Sequence, residues 1–178
     1  IVITHMPTSA HGDRDLRNFE KQIAAGKKLS KRLQNMYARE LLMVGSEESV
    51  RKAEAYFAGV SMEPEADTEL LMEAYCILVR AARWKEDHVA LMKYALKAVA
   101  LEGCSEICCE LGLFFEQTGD FEEAAIWYYN AAYGTQPVLV KASAEKEPLE
   151  GLVRCYHALG MEEQEDNYRK ELIGRQFS

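Results

Sequence analysis

Asp13 and Asp15 stand one residue apart, a spacing at which two carboxylates can hold a divalent cation against a phosphate. The same pair opens the amphipathic run GDRDLRNFEKQIAAG. There Asp13 reads as a helix N-cap, and both acids favour the positive end of the helix dipole. Four histidines, His5, His11, His88 and His157, are scattered over unrelated segments with no HExxH spacing. Five cysteines, Cys76, Cys104, Cys108, Cys109 and Cys155, lack the CxxC pairs of a zinc site and read as small core hydrophobes. Cys104 and Cys108 lie one helical turn apart and could share a face, which leaves a metal or disulfide reading open. No glycine-rich phosphate loop occurs, and no nucleophile, base and orienting acid can be assembled. No catalytic residue and no metal ligand is therefore assigned to this chain.

The elements that must position these residues are helices. The chain has 178 residues, 48% of them apolar and 28% charged, with four prolines and eleven glycines. Alanine, leucine and glutamate dominate, which favours helix over sheet. A formal net charge of −8 argues against nucleic acid, whose binding rests on Lys and Arg at phosphates. No apolar run approaches the roughly 20 residues of a membrane span, and IVITHMP is too short for a secretory signal. The expected location is cytoplasmic. Ile1 to Thr4 are β-branched and read as a strand fragment. A lone strand is not stable by itself, so residues 1–12 are expected to be a linker or the remnant of a preceding domain, with a helical domain over 13–178.

Within ELGLFFEQTGDFEEAAIWYYNAAYGTQP, residues 110–137, Leu111, Gly112 and Phe115 share one helical face. Gly119 and Asp120 make a turn, and Ala124, Tyr128 and Ala131 line the facing stripe of a second helix. This segment resembles a tetratricopeptide repeat, whose unit is about 34 residues long. The resemblance implies an all-α solenoid in which Gly112 lets two helices touch. Applying the register outward yields about four helical pairs and about nine helices. One pair covers KRLQNMYARELLMVGSEESVRKAEAYFAGV, with a turn expected to be about three residues longer. The next places Trp84 and Lys85 at its turn and lacks the glycine. The last begins at EPLEGLVRCYHALG, and Glu165, standing where Ala124 would be, marks a polar cap. Gly119 and Gly160 are 41 residues apart, and the excess, TQPVLVKASAEKEP, is expected to be an inserted loop that carries binding.

The N-terminal strand, the arginine-bearing helix and the run NMYAREL together resemble the C-terminal region of bacterial family 2 glycosyltransferases that carry such repeats. His5, Arg14, Arg17, Arg32, Tyr37, Ala38, Arg39 and Glu40 stand at the matching places. The resemblance implies a non-catalytic domain attached to a missing catalytic domain, and the nucleotide sugar and divalent cation would belong to that domain. The alternative is a free-standing repeat adaptor or scaffold with no enzyme attached.

In repeats of this class the first helices of successive pairs line a concave groove. That register directs Arg32, Asn35 and Arg39, then Glu73, Arg80 and Arg83, then Glu106, Glu116 and Gln117, and finally Arg154 and His157 inward. Five arginines on one face would suit a protein or peptide with anionic or carboxylate groups. They would equally suit pairing with neighbouring glutamates. Trp127 and Tyr129 lie on other faces of their helix than Tyr128, so an exposed aromatic is available for a partner or a second copy of the chain.

Overall fold

The computed structural model describes residues 9–175 and 177. The strand expected over residues 1 to 7, with His5, lies outside the described residues. Among those described there is no strand, and nine α-helices follow one another. They are α1 (Ser9–Ala24), α2 (Lys31–Val44), α3 (Glu47–Ser61), α4 (Thr68–Trp84), α5 (His88–Leu101), α6 (Ser105–Gln117), α7 (Phe121–Tyr129), α8 (Lys146–Ala158) and α9 (Glu162–Gly174). Helix starts follow from local chemistry. The side chains of Ser30, Ser46, Asp67, Asp87 and Asp120 each accept from a backbone N–H in the first turn of α2, α3, α4, α5 and α7, satisfying a donor that helix geometry leaves free. Asp13 is not such a cap, because α1 already begins at Ser9.

Three connections share one geometry. Lys85 to Asp87, Thr118 to Asp120 and Leu159 to Met161 join consecutive helices, and the middle residue is left-handed each time, with φ of 57° at Glu86, 84° at Gly119 and 69° at Gly160. Glu86 thus adopts a conformation that glycine accepts more readily. The α2–α3 connection departs from this plan. It is shorter rather than longer, only Gly45 and Ser46, and neither has a positive φ. The closest packing of α2 is with α1 and α4, and it meets α3 through aromatic rings, with Tyr37 stacked 5.6 Å from Phe57.

The first helices of successive pairs touch in series, α2 on α4, α4 on α6 and α6 on α8. One buried cluster runs from Leu16 through α2–α6 to Leu139, and a second joins Ala124, Ala125 and Tyr128 to Leu149, Leu152 and Cys155. Gly112 and Gly151 both pack against the Tyr128 ring. A Cβ on either glycine would lie 2.6 Å from it, so three helices meet around that ring at a separation only glycine permits. Helix α9 has no buried residue, as a polar terminal cap requires.

The inserted segment does not project as a free loop. After α7 comes a π-turn (Asn130–Gly134) and then a short 3-10 helix (Lys141–Ala144) that packs on α6 and α8. Leu139 is buried. The segment is held by Glu106, whose Oε1 accepts from the backbone N–H of Val138 and Leu139 at 2.7 and 3.1 Å. It is also held by Ser105, which donates its N–H to the Gln136 carbonyl and its hydroxyl to the Ala131 carbonyl.

Candidate functional site

The residues placed on the groove separate into three environments. Arg80 and Arg83 project from α4 onto one carboxylate of α6. Arg80 Nε donates to Glu110 Oε1 at 2.7 Å and Arg83 Nε to Glu110 Oε2 at 2.5 Å, while Arg80 Nη1 donates to the Leu42 carbonyl at 2.9 Å. The Glu110 side chain is only 3% exposed. The two guanidinium groups outweigh its burial and hold its carboxyl below the usual carboxylate range. One layer on, Arg154 of α8 clamps Glu116 of α6 with Nε to Oε1 at 2.7 Å and Nη2 to Oε2 at 3.1 Å, and the Tyr128 hydroxyl donates to the same carboxylate at 2.6 Å. Three of the five arginines are therefore turned to joining adjacent first helices. Arg32 and Arg39 are exposed and make no ion pair among the described residues.

Two acids expected at the groove are enclosed instead. Glu73 is 0% exposed, so it lines nothing a partner could reach. Neither of its carboxylate oxygens has a hydrogen-bond partner, and burial pushes its carboxyl up to about 7. Asn35 faces it from α2 and Glu69 from its own helix. Glu106 is buried beneath the inserted segment, which occupies the place on the first-helix face that a partner was expected to take. His157 remains exposed and meets Glu165 at 3.2 Å.

Several recesses are open at the surface, one of them, of about 480 Å³, along α1 at Asp13, Arg14 and Arg17. Another, of about 630 Å³, lies where the α4–α5 turn approaches the end of α6, and Arg83, Trp84, Glu86, His88, Phe114, Gln117 and Thr118 line it. The Arg83 guanidinium gives its Nε to Glu110 and makes no other hydrogen bond among the described residues, which leaves its Nη donors for this recess. Trp84 lies beneath that guanidinium at 5.9 Å, and His88 meets Phe114 edge to face. Sequence reasoning brought Arg83 and Gln117 here but missed His88 and Trp84. A third recess, of about 420 Å³, is apolar and is lined by Ala125, Ile126, Tyr129, Tyr156, Leu159 and Met161. Tyr129 is half exposed, whereas Trp127 packs along its helix and donates to Glu123 at 3.1 Å.

Sequence reasoning also missed Glu110, which the structure makes the hub of the α4–α6 junction. A signal existed in that a lone acid in the apolar run CCELGL needs a cation. It follows Arg80 by 30 residues and Arg83 by 27, close to one repeat length. All five cysteines are free and buried, as expected of small core residues, and Cys104 and Cys108 are not the pair that meets. The neighbour of Cys104 is Cys76 of α4, with sulfurs 3.6 Å apart, whereas Cys108 faces the Thr135 hydroxyl. No helix among the described residues is long and apolar enough to cross a membrane. Comparison with known proteins yields no matching family model, no matching curated protein and no matching solved structure.

Proposed function

We propose that this chain is a non-catalytic, tetratricopeptide-like helical-repeat domain that binds a protein or peptide through an anionic or carboxylate group. The observation that carries this reading is the recess beside Arg83. Its Arg, His, Gln and Thr side chains offer several donors around a single acid, Glu86, and Trp84 and Phe114 supply flat apolar walls. Arg83 is held by Glu110 at one nitrogen, so its remaining donors are fixed in place and little side-chain entropy is lost on binding. The apolar recess around Ile126 and Tyr129 supports self-association as a second mode of contact. The attachment of this domain to a glycosyltransferase rests on the sequence resemblance alone, and there the bound partner would be the acceptor.

The test uses the full-length parent protein beside a version lacking residues 9–178, assayed for nucleotide-sugar hydrolysis and for transfer to a protein acceptor. Hydrolysis retained with transfer lost supports acceptor binding by this domain. Absence of both activities from the full-length protein would leave a free-standing adaptor. Negative charge introduced at the rim by Gln117→Glu with Thr118→Glu, both exposed, is expected to weaken partner binding at least tenfold with an unchanged melting temperature. Unchanged affinity would remove the recess from the reading.

A further inference from the structure

Cys76 lies in the middle of α4 and Cys104 immediately precedes α6, and their sulfurs are 3.6 Å apart with both residues at most 1% exposed. A carboxylate oxygen of Glu106, in the first turn of α6, completes a group of three ligand atoms that all lie within 4.8 Å of one another. Two soft sulfurs and one hard oxygen form a donor set of the zinc class. Zinc–sulfur bonds of about 2.3 Å at a tetrahedral angle hold two thiolates roughly 3.8 Å apart, so these sulfurs need move little to share an ion.

Three features surround the site. Cys104 occupies the N-cap position of α6 but makes no side-chain cap bond, unlike the capping side chains of α2 to α5 and α7. Its sulfur lies beside that of Cys76 instead. Glu106 is already oriented by the N–H groups of Val138 and Leu139, the type of outer partner that fixes a ligating carboxylate. Arg80 lies one turn along α4 from Cys76, with its guanidinium anchored on Glu110.

We propose that Cys76, Cys104 and Glu106 form a buried site for one divalent ion of the zinc class. Binding is an acid–base step without electron transfer. Two sulfur–metal bonds and one oxygen–metal bond replace bonds from the ion to water, one water stays as the fourth ligand, both thiol protons leave to solvent, and the ion with its two thiolates and carboxylate carries a net charge of −1. The ion ties α4 to α6, and through Glu106 to the inserted segment, at the centre of the domain. This role is independent of the recess at Arg83 and of any catalytic domain.

The experiment refolds the reduced chain from urea with cobalt(II) and records the absorption spectrum, and zinc content is measured on protein expressed in zinc-supplemented medium. The expected result is one cobalt per chain with a sulfur-to-cobalt charge-transfer band of two-thiolate intensity, displaced by zinc. The double variant Cys76→Ser with Cys104→Ser should lose the band, and Cys155→Ser, at a cysteine distant in α8, should keep it. A wild-type spectrum without the charge-transfer band overturns the proposal, and that measurement requires no variant to fold. A band equal in the double variant, or a Cys76–Cys104 disulfide found by mass in the reduced and refolded chain, overturns it as well.

Discussion

Replacing Glu73 with glutamine should abolish a loss of stability that the native chain suffers as pH rises. Both oxygens of Glu73 are buried without a hydrogen-bond partner, and its carboxyl, ordinarily near 4.5, is pushed up to about 7 chiefly by burial, with Glu69 and Asp67 adding to the effect and Lys31 and Asn35 opposing it. Between these two values the unfolded chain releases the proton while the folded chain keeps it, so the folded state loses ground as pH increases. At 1.36 kcal/mol per pH unit the full difference is roughly 3 kcal/mol. It is absent below pH 4.5 and complete above pH 7. Glutamine keeps the shape and hydrogen-bonding capacity but carries no charge at any pH. Urea unfolding at pH 4.5, 6, 7 and 8 should therefore show native and Glu73→Gln curves that start together and diverge, with the variant more stable by about that amount at pH 8. Parallel curves across the range would refute the reasoning and mean that Glu73 is solvated or paired in solution.

Two further perturbations probe the junctions between first helices. Glu110→Gln leaves Arg80 and Arg83 buried without their counter-charge and should cost about 3–5 kcal/mol in a denaturant titration. Because the Glu110 carboxyl is held low, its contribution is present above the usual carboxylate range and fades as the solution is acidified. Loss below about 1 kcal/mol would place the pair among exposed ion pairs, which contribute little. Gly151→Ala should lower stability by about 1–3 kcal/mol, because the new methyl would stand 2.6 Å from a buried Tyr128 ring that Gly112 also packs against. An unchanged melting curve would mean that the ring can shift within its slot.

Much of the fold was legible because it is written in short-range chemistry. The phase of Ala124 and Tyr128, the turns at Gly119 and Gly160, and the polar character of α9 all follow from helical periodicity and backbone allowance within a few residues, whereas Ala131, expected on the same stripe, falls in the π-turn and packs on Cys108 and Cys109. Where the local rule and the structure part, the cause is again identifiable. Asp13 looked like a cap, but α1 extends back to Ser9. The α2–α3 link is too short for the turn used elsewhere, and Tyr37, Tyr56 and Phe57 hold those two helices apart.

By itself the sequence determined that this is a chain of amphipathic helices meeting at small residues, because a 3.6-residue period separates buried from solvated faces whatever the neighbours are. It could not assign partners. Arg80, Arg83 and Arg154 find their carboxylates 27 to 38 residues away, Cys104 finds Cys76 on another helix, and the inserted segment closes over Glu106. Each of these pairings depends on how helices distant in sequence cross, and an interior polar group is paired or stranded by that crossing alone. Tertiary packing decided that most of the expected groove arginines knit the domain together and that Glu73 is enclosed.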